Sequence, residues 1–140
     1  MIARLLYVGG ASGLQFAVEN GSVKWAMDSG PDVADPSPVQ ALLAAAGACS
    51  AMDVISILQK KRLKVTRYEV EVEGDRRTEH PRAFTHIRIV HRLHGERLPE
   101  RAVEEAIRLS EDKYCTVIAS LRPTVQVTSR FEIRSEGEAA

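Results

Sequence analysis

The chain has 140 residues, of which 44% are hydrophobic and 27% charged, with 19 basic residues against 19 acidic ones. This length suits one ordinary domain with a hydrophobic core, and we expect a single domain over residues 1–134 followed by a disordered tail, 135–140. The formal net charge of zero argues against a general nucleic-acid binder, because such proteins carry a basic surface. We therefore expect no nucleic-acid partner.

The cysteines and the apolar segments indicate in which cellular compartment the protein is expected. Cys49 and Cys115 are too few for a secreted disulfide scaffold and too far apart for a CxxC motif. The N-terminus has no apolar run of signal-peptide length. The weakly polar stretch 41–58 contains Asp53, which would be costly at the centre of a bilayer, so it is interpreted as a core helix. We expect a cytoplasmic protein without a membrane partner.

Three short strands are predicted first, over 2–8, 14–19 and 22–27, with the pair Asn20-Gly21 favouring a type I′ hairpin between the last two. A loop over 28–37 follows. Ser37 is a candidate helix N-cap and Pro38 a candidate first helical residue. These features predict a long helix from Pro38 to about Lys61.

The long helix is apolar on nearly all of its faces, which is typical of a helix buried on every side. At about 1.5 Å per residue it would be roughly 36 Å long. A chain of this size has little material left to wrap such a helix completely. We therefore expect a dimer that shares this core.

The second half begins with two alternating strands, around 68–72 and over 83–93, which are predicted to pair as a hairpin. An amphipathic helix begins at Pro99, a short helix covers 114–121, and a last strand covers 124–133. The predicted order is βββ-α-ββ-α-α-β. It indicates an α+β fold with strands paired antiparallel around one buried helix.

The two cysteines differ in their local sequence. Cys49 lies in the Ala-rich middle of the long helix, where a free cysteine is often a small core residue. If Asp112 caps the short helix, Cys115 falls in its first turn, where the helix dipole and Lys113 favour a thiolate. Local features thus predict that Cys115 is the more activated thiol, and the two could form a nucleophile and resolver pair.

The stretch from Ser37 to Cys49, SPVQALLAAAGAC, resembles the central helix of the OsmC/Ohr family, the osmotically inducible and organic hydroperoxide resistance proteins. The order of elements and the position of Cys115 match as well, so the resemblance covers nearly the whole chain. The segments 48–54 and 113–117 are similar to a divergent branch of that family.

This resemblance implies an intertwined homodimer that acts in oxidative stress defence, with active sites at the subunit interface. Cys49 would be the nucleophile toward an organic hydroperoxide, and Cys115 would resolve it to a disulfide. Here the resemblance reverses the local ranking of the two thiols. No bound cofactor is implied, and an external dithiol would be the reductant.

The chain departs from the family pattern at two places. Val39 stands where the peroxidases place a glutamate, and no Lys or Arg occurs between Lys24 and Lys60, where they supply an arginine. Asp53, one turn after Cys49, disfavours a thiolate when ionised. The loop instead carries three acids, Asp28, Asp32 and Asp35. A cation for Cys49 would have to come from elsewhere in the chain; the candidates are Lys113, Arg122, Arg82 and Arg88.

Two other functions stay open. The first is an OsmC-like dimer that binds a small apolar ligand without peroxide chemistry, and the second is a thioester hydrolase with Asp53 as general base. A metal site is not expected, because the histidines are split between opposite strand faces: His91 on one, and His86 and His94 on the other.

Overall fold

The structure is a computed structural model that describes residues 1–135. The chain divides into two compact units, Met1–Leu42 and Leu43 onward. The expected element order is confirmed, with one turn of π-helix joining the last two helices. The α+β class expected from the sequence is also confirmed.

The first unit contains an antiparallel sheet of three strands, β1 (Arg4–Gly9), β2 (Gln15–Asn20) and β3 (Val23–Met27), in the order β1-β2-β3. The expected hairpin joins β2 to β3, because Asn20 pairs with Val23. Only Gly21 in this turn has a positive φ, 59°. The turn therefore has glycine alone in the left-handed region, whereas the predicted type I′ turn needs two such residues.

This sheet leaves much apolar surface uncovered in the single chain. Four successive residues of β1 are exposed although alternate strand residues point to opposite faces, so neither face of β1 is covered. They are Leu5, Leu6, Tyr7 and Val8. Apolar surface of this extent is typical of an interaction face.

Helix α1 spans Pro38–Lys60 and begins as predicted. Ser37 Oγ accepts a hydrogen bond of 3.1 Å from the Gln40 amide, and Gln40 Oε1 accepts one of 2.9 Å from the Ser37 amide. This reciprocal pair is a capping box, which satisfies two backbone donors that would otherwise lack partners at the helix start.

In the single chain α1 is covered along one side only, which agrees with the expectation that a chain of this size cannot wrap the helix completely. The helix buries one stripe of residues, while Met52 on another face is 68% exposed. The stripe is Ala46, Gly47, Ser50, Val54 and Leu58. By length and composition alone α1 could cross a membrane, a test that the core helix of a globular protein also passes.

The second unit contains a three-stranded sheet of β4 (Arg67–Arg76), β5 (Phe84–His94) and β6 (Gln126–Arg134), in the order β4-β5-β6. The predicted β4–β5 hairpin is confirmed. However, β6 pairs with β5 in parallel, so the prediction of purely antiparallel pairing is wrong. The helical connection between β5 and β6 allows parallel pairing, since it carries the chain back across the sheet before β6 begins.

That connection consists of α2 (Glu100–Leu109), the π-helical turn Ser110–Tyr114 and α3 (Thr116–Leu121). Pro99 directly precedes α2, as expected of a residue without an amide donor. Ser135 has no regular structure, and the rest of the expected tail, 136–140, lies outside the described residues.

The core of the second unit has two apolar clusters. One surrounds Ile87, Ile89 and Cys115, and the other surrounds Leu93, Val54 and Ala106. Three polar side chains are fully buried: Ser50 on α1, His91 on β5 and Ser110 after α2. Along the chain, each of them stands between a residue of one cluster and a residue of the other. Ser50 and Ser110 lie beside the candidate site.

Candidate functional site

The structure brings Cys49 and Cys115 together although 66 positions separate them in the sequence. The two sulfurs and a carboxylate oxygen of Asp53 lie within 4.8 Å of one another. Cys49 and Asp53 are four residues apart on α1 and so share a face of the helix. The cluster therefore combines two thiols with one carboxyl group.

Local backbone features set the positions of the two sulfurs. Gly47 allows β4 to approach α1 two residues before Cys49, since a Cβ at this glycine would lie 2.2 Å from Cγ2 of Val72. Cys115 is the N-cap residue of α3, and its Sγ accepts a hydrogen bond of 3.4 Å from the Ile118 amide. Its own amide donates to the Ser110 carbonyl at 2.7 Å, which ends the π-helical turn.

Cys115 is not the activated thiol that its local sequence predicted. Burial, and after it the neighbouring Cys49 thiol, raises the pKa of Cys115 to about 11, although the hydrogen bond from the Ile118 amide acts in the opposite direction. Asp112 does not cap α3, because Cys115 itself occupies that position. Cys115 is 3% exposed, whereas Cys49 is partly exposed. Of the two cysteines, Cys49 is therefore the more exposed to solvent.

Asp53 is held in place by a buried hydroxyl. Ser110 Oγ donates a hydrogen bond of 2.8 Å to Asp53 Oδ2 and also lies 3.4 Å from Ser50 Oγ. Both serines are fully buried. This arrangement fixes the direction of the carboxylate beside the thiols.

An open cavity of about 300 Å³ adjoins the cluster on the Asp53 side. Its walls include apolar side chains of three elements, Ile57, Leu109 and Tyr114, and two lysines, Lys60 and Lys61. The cavity gives small molecules a route to the carboxylate.

Three of the four basic residues considered as activators are engaged with other groups. Arg88 is bound to Glu73 and Asp75. Arg122 is 3.7 Å from a carboxylate oxygen of Glu111 and donates to two backbone carbonyls, and the Lys113 ammonium lies over the ring of Tyr114. The remaining candidate, Arg82, accepts a hydrogen bond from Arg76 through its carbonyl group. Within residues 1–135, Asp53 forms no ion pair.

The loop carboxylates of the first unit serve its own structure. Asp28 accepts hydrogen bonds from Ser12 and from the Ser29 amide, and Asp35 accepts one of 2.8 Å from Gln15. Val39, at the position of the family's glutamate, is 37% exposed.

The histidines are not gathered into a metal-binding group anywhere in the described part of the chain. His86 bonds to Thr128 at 2.8 Å. His91 is fully buried, and its Nδ1 lies 2.6 Å from Tyr68 Oη while its Nε2 has no partner among the described residues. Burial lowers the pKa of His91 to about 4 and raises that of Tyr68.

Two serines at the site, and the pairing of two residues elsewhere in the second unit, were missed from the sequence. Ser50 and Ser110 gave no local indication beyond Ser50 standing next to Cys49, and the pairing of Tyr68 with His91 depends on strand register. Register and the π-helical turn are properties of the folded chain.

The chain is similar to known proteins along most of its length. Residues 29–130 match the family model described as OsmC-like protein. Protein YhfA of Escherichia coli K12 is 42% identical over 134 residues, which cover 95% of this chain and 98% of YhfA.

Among solved structures, a hypothetical protein from Aquifex aeolicus VF5 superposes with a TM-score of 0.85 at 29% identity, covering 96% of each chain. The organic hydroperoxide resistance protein OhrB of Bacillus subtilis superposes with a TM-score of 0.65 at 16% identity, covering 94% of this chain and 98% of its own, which shows the same fold. With one family model matching residues 29–130 and YhfA 42% identical over 95% of the chain, this chain belongs to the OsmC-like protein family.

Proposed function

We propose that this protein reduces organic hydroperoxides by thiol chemistry, with Cys49 as nucleophile and Cys115 as resolving thiol. The observation that carries the proposal is the proximity of the two sulfurs, within the 4.8 Å cluster, with one partly exposed and the other buried. A reachable sulfur beside a protected one is the arrangement that a nucleophile and its resolver need.

The first step oxidises Cys49 by two electrons. Its thiolate attacks the terminal oxygen of the hydroperoxide, an S–O bond forms and the O–O bond breaks. The alkoxide takes up a proton and leaves as an alcohol, and Cys49 becomes a sulfenic acid.

The second step forms the disulfide. The Cys115 thiolate attacks the Cys49 sulfur, an S–S bond forms, and the hydroxyl group leaves as water after taking up a proton. An external dithiol then reduces the disulfide and is itself oxidised. Burial of Cys115 and its raised pKa support its assignment as the resolving thiol, because a buried and protonated thiol is a poor first nucleophile.

We infer that the active protein is a homodimer. The uncovered apolar residues of β1 and the exposed faces of α1 support this inference, since a second copy would bury both. A cytoplasmic location and a role in oxidative stress defence accompany the proposal, because a reducing compartment keeps both thiols available.

The proposal is tested by trapping the sulfenic acid. Wild type, Cys49→Ser and Cys115→Ser are treated with cumene hydroperoxide and dimedone, and the products are identified by mass spectrometry. We expect an adduct at Cys49 in Cys115→Ser, no adduct in Cys49→Ser, and an intrachain disulfide in wild type. A Cys115→Ser protein that remains unmodified would exclude the peroxidase.

One observation favours a second candidate, the dimer that binds a small apolar ligand without peroxide chemistry. Arg88, Arg122 and Lys113 are engaged with other groups, and a cavity lined in part by apolar side chains adjoins the cluster. Binding of an apolar fluorescent probe that is equal in wild type and Cys49→Ser, together with inert thiols, would favour it. Hydrolysis of a thioester that is lost in Asp53→Asn would instead favour the hydrolase.

A further inference from the structure

Cys49, Asp53 and Cys115 form a set of three metal-ligating groups. Their ligand atoms lie within 4.8 Å of one another. Ligands bound to one tetrahedral zinc ion, at about 2.3 Å for sulfur and about 2.0–2.2 Å for oxygen, are themselves about 3.5–4 Å apart. The three groups therefore need to move by less than about an ångström to share one ion.

The surroundings of these groups resemble the support that ligands in metal sites have. Ser110 Oγ donates to Asp53 Oδ2 at 2.8 Å, and Oδ1 has no hydrogen bond within the described residues. The Ile118 amide holds the Cys115 sulfur at 3.4 Å. Outer partners of this kind orient ligands and increase metal affinity.

The charges of the cluster also favour a cation. Both thiolates and the carboxylate are anionic when ionised, and none of the ion pairs formed by residues 1–135 includes Asp53. Lys60 and Lys61 line the same cavity as Asp53, but neither forms an ion pair with it in the part of the chain that the structure describes. Lys61 is paired with Glu105 at 3.2 Å.

We propose that the reduced chain binds one thiophilic divalent ion of the zinc type through Cys49 Sγ, Cys115 Sγ and the Asp53 carboxylate. Three protein ligands leave a fourth position open, and the 300 Å³ cavity beside Asp53 gives the ion and a water molecule a way in. The two sulfur ligands select against magnesium and calcium, which prefer oxygen.

Metal binding would block the proposed reaction, because the same sulfur cannot bind an ion and attack a peroxide. This regulatory consequence rests on the proposed function, whereas metal binding itself does not. The proposed metal site differs from the sequence-based expectation that the chain has no metal site. That expectation was based on the histidines and on the absence of a CxxC motif, and it did not consider a pair of distant cysteines.

The test is a titration of Co²⁺ into the reduced, full-length protein, followed by absorption of the thiolate-to-Co²⁺ charge-transfer band. We expect one ion per chain, loss of the band in Cys49→Ser and in Cys115→Ser, and roughly tenfold or greater weakening in Asp53→Asn. The matched control is Asp112→Asn, an exposed carboxylate in the π-helical turn, which should bind like wild type. Circular dichroism verifies that each variant is folded.

Absence of the band in folded wild type would overturn the proposal, and so would a band that persists in folded Cys115→Ser. A second measurement separates this proposal from the peroxidase. Thiol loss to cumene hydroperoxide is followed with and without Zn²⁺, and Zn²⁺ is expected to slow it more than tenfold. If the thiols react with the hydroperoxide but no Co²⁺ band forms, metal binding is contradicted and the peroxidase is not. If the band forms but the thiols do not react with the hydroperoxide, the peroxidase is contradicted and metal binding is not.

Discussion

Ser110 holds Asp53 by a hydrogen bond of 2.8 Å from a position that is fully buried. The serine ends one helix and the aspartate lies on another, so this bond joins α1 to the π-helical turn that precedes Cys115. The distance between the two cysteines therefore depends on a contact that neither cysteine makes.

Replacing Ser110 by alanine should destabilise the protein by about 1–3 kcal/mol, because it removes a hydrogen bond to a partly buried carboxylate. Urea denaturation measures the change. The control Ser120→Ala removes an exposed hydroxyl that donates to the Thr116 carbonyl, and it should change the free energy of unfolding by less than about 0.5 kcal/mol. Equal effects of the two variants would contradict the structural role of Ser110.

Alkylation should distinguish the two thiols. At pH 8, iodoacetamide should modify Cys49 well before Cys115, because Cys115 is 3% exposed and its pKa is raised to about 11. A thiol of that pKa is roughly 0.1% ionised at this pH. Peptide mapping by mass spectrometry gives the order of labelling, and early labelling of Cys115 would show that it is accessible.

His91 should make stability depend on pH in a defined window. Its pKa falls from 6.5 to about 4 on folding, so the folded state binds fewer protons than the unfolded state between those values. The stabilisation is complete above about pH 6.5 and decreases by roughly 3 kcal/mol as the pH falls toward 4. Urea denaturation across this range measures the slope.

The double variant Tyr68→Phe/His91→Phe serves to assign that slope, since it replaces both partners of the buried hydrogen bond by apolar rings. It should remove this part of the pH dependence, whereas His86→Gln on the opposite face of β5 should keep it. An unchanged slope in the double variant would show that other groups are responsible.

Gly47→Ala should destabilise the protein although alanine favours helices by about 1 kcal/mol over glycine. Its Cβ would lie 2.2 Å from Cγ2 of Val72, and overpacking of this kind costs about 1–3 kcal/mol. In a Val72→Ala background the same change should cost less, which a double-mutant cycle by urea denaturation measures. Stabilisation by Gly47→Ala alone would contradict the close approach of α1 and β4.

A charge on β1 should disrupt the proposed dimer. Leu6 is 68% exposed in the single chain, and Leu6→Asp would bury a carboxylate if a second copy covers this strand. Sedimentation velocity should show a dimer for wild type and a monomer for the variant. Lys24→Ser, an exposed position on β3 of the same sheet, is the control, and a wild-type monomer would contradict the proposal.

Much of the fold could be predicted from the sequence because its elements have strong local patterns. Ser37 and Pro38 define the start of α1, and Asn20-Gly21 defines a hairpin. The parallel pairing of β6 could not be predicted, since hydrophobic alternation is the same for parallel and antiparallel edge strands. Which face of α1 the single chain covers could not be predicted, because an apolar face in the sequence does not reveal whether the same chain or a second copy covers it.

The site was predicted in part. Both cysteines were identified, and the family resemblance paired them, but local reasoning chose Cys115 as the activated thiol. That reasoning included the helix dipole and omitted burial, which has the larger effect on the pKa of Cys115. Ser110 was missed because its importance depends on a contact with a residue 57 positions away.

The central claim is that Cys49 and Cys115 act together on a hydroperoxide. The most direct test counts free thiols in the reduced protein before and after one equivalent of cumene hydroperoxide. We predict that wild type rapidly loses both thiols to an intrachain disulfide and that the remaining thiol of Cys49→Ser does not react. Persistence of both thiols in wild type for hours would contradict the account.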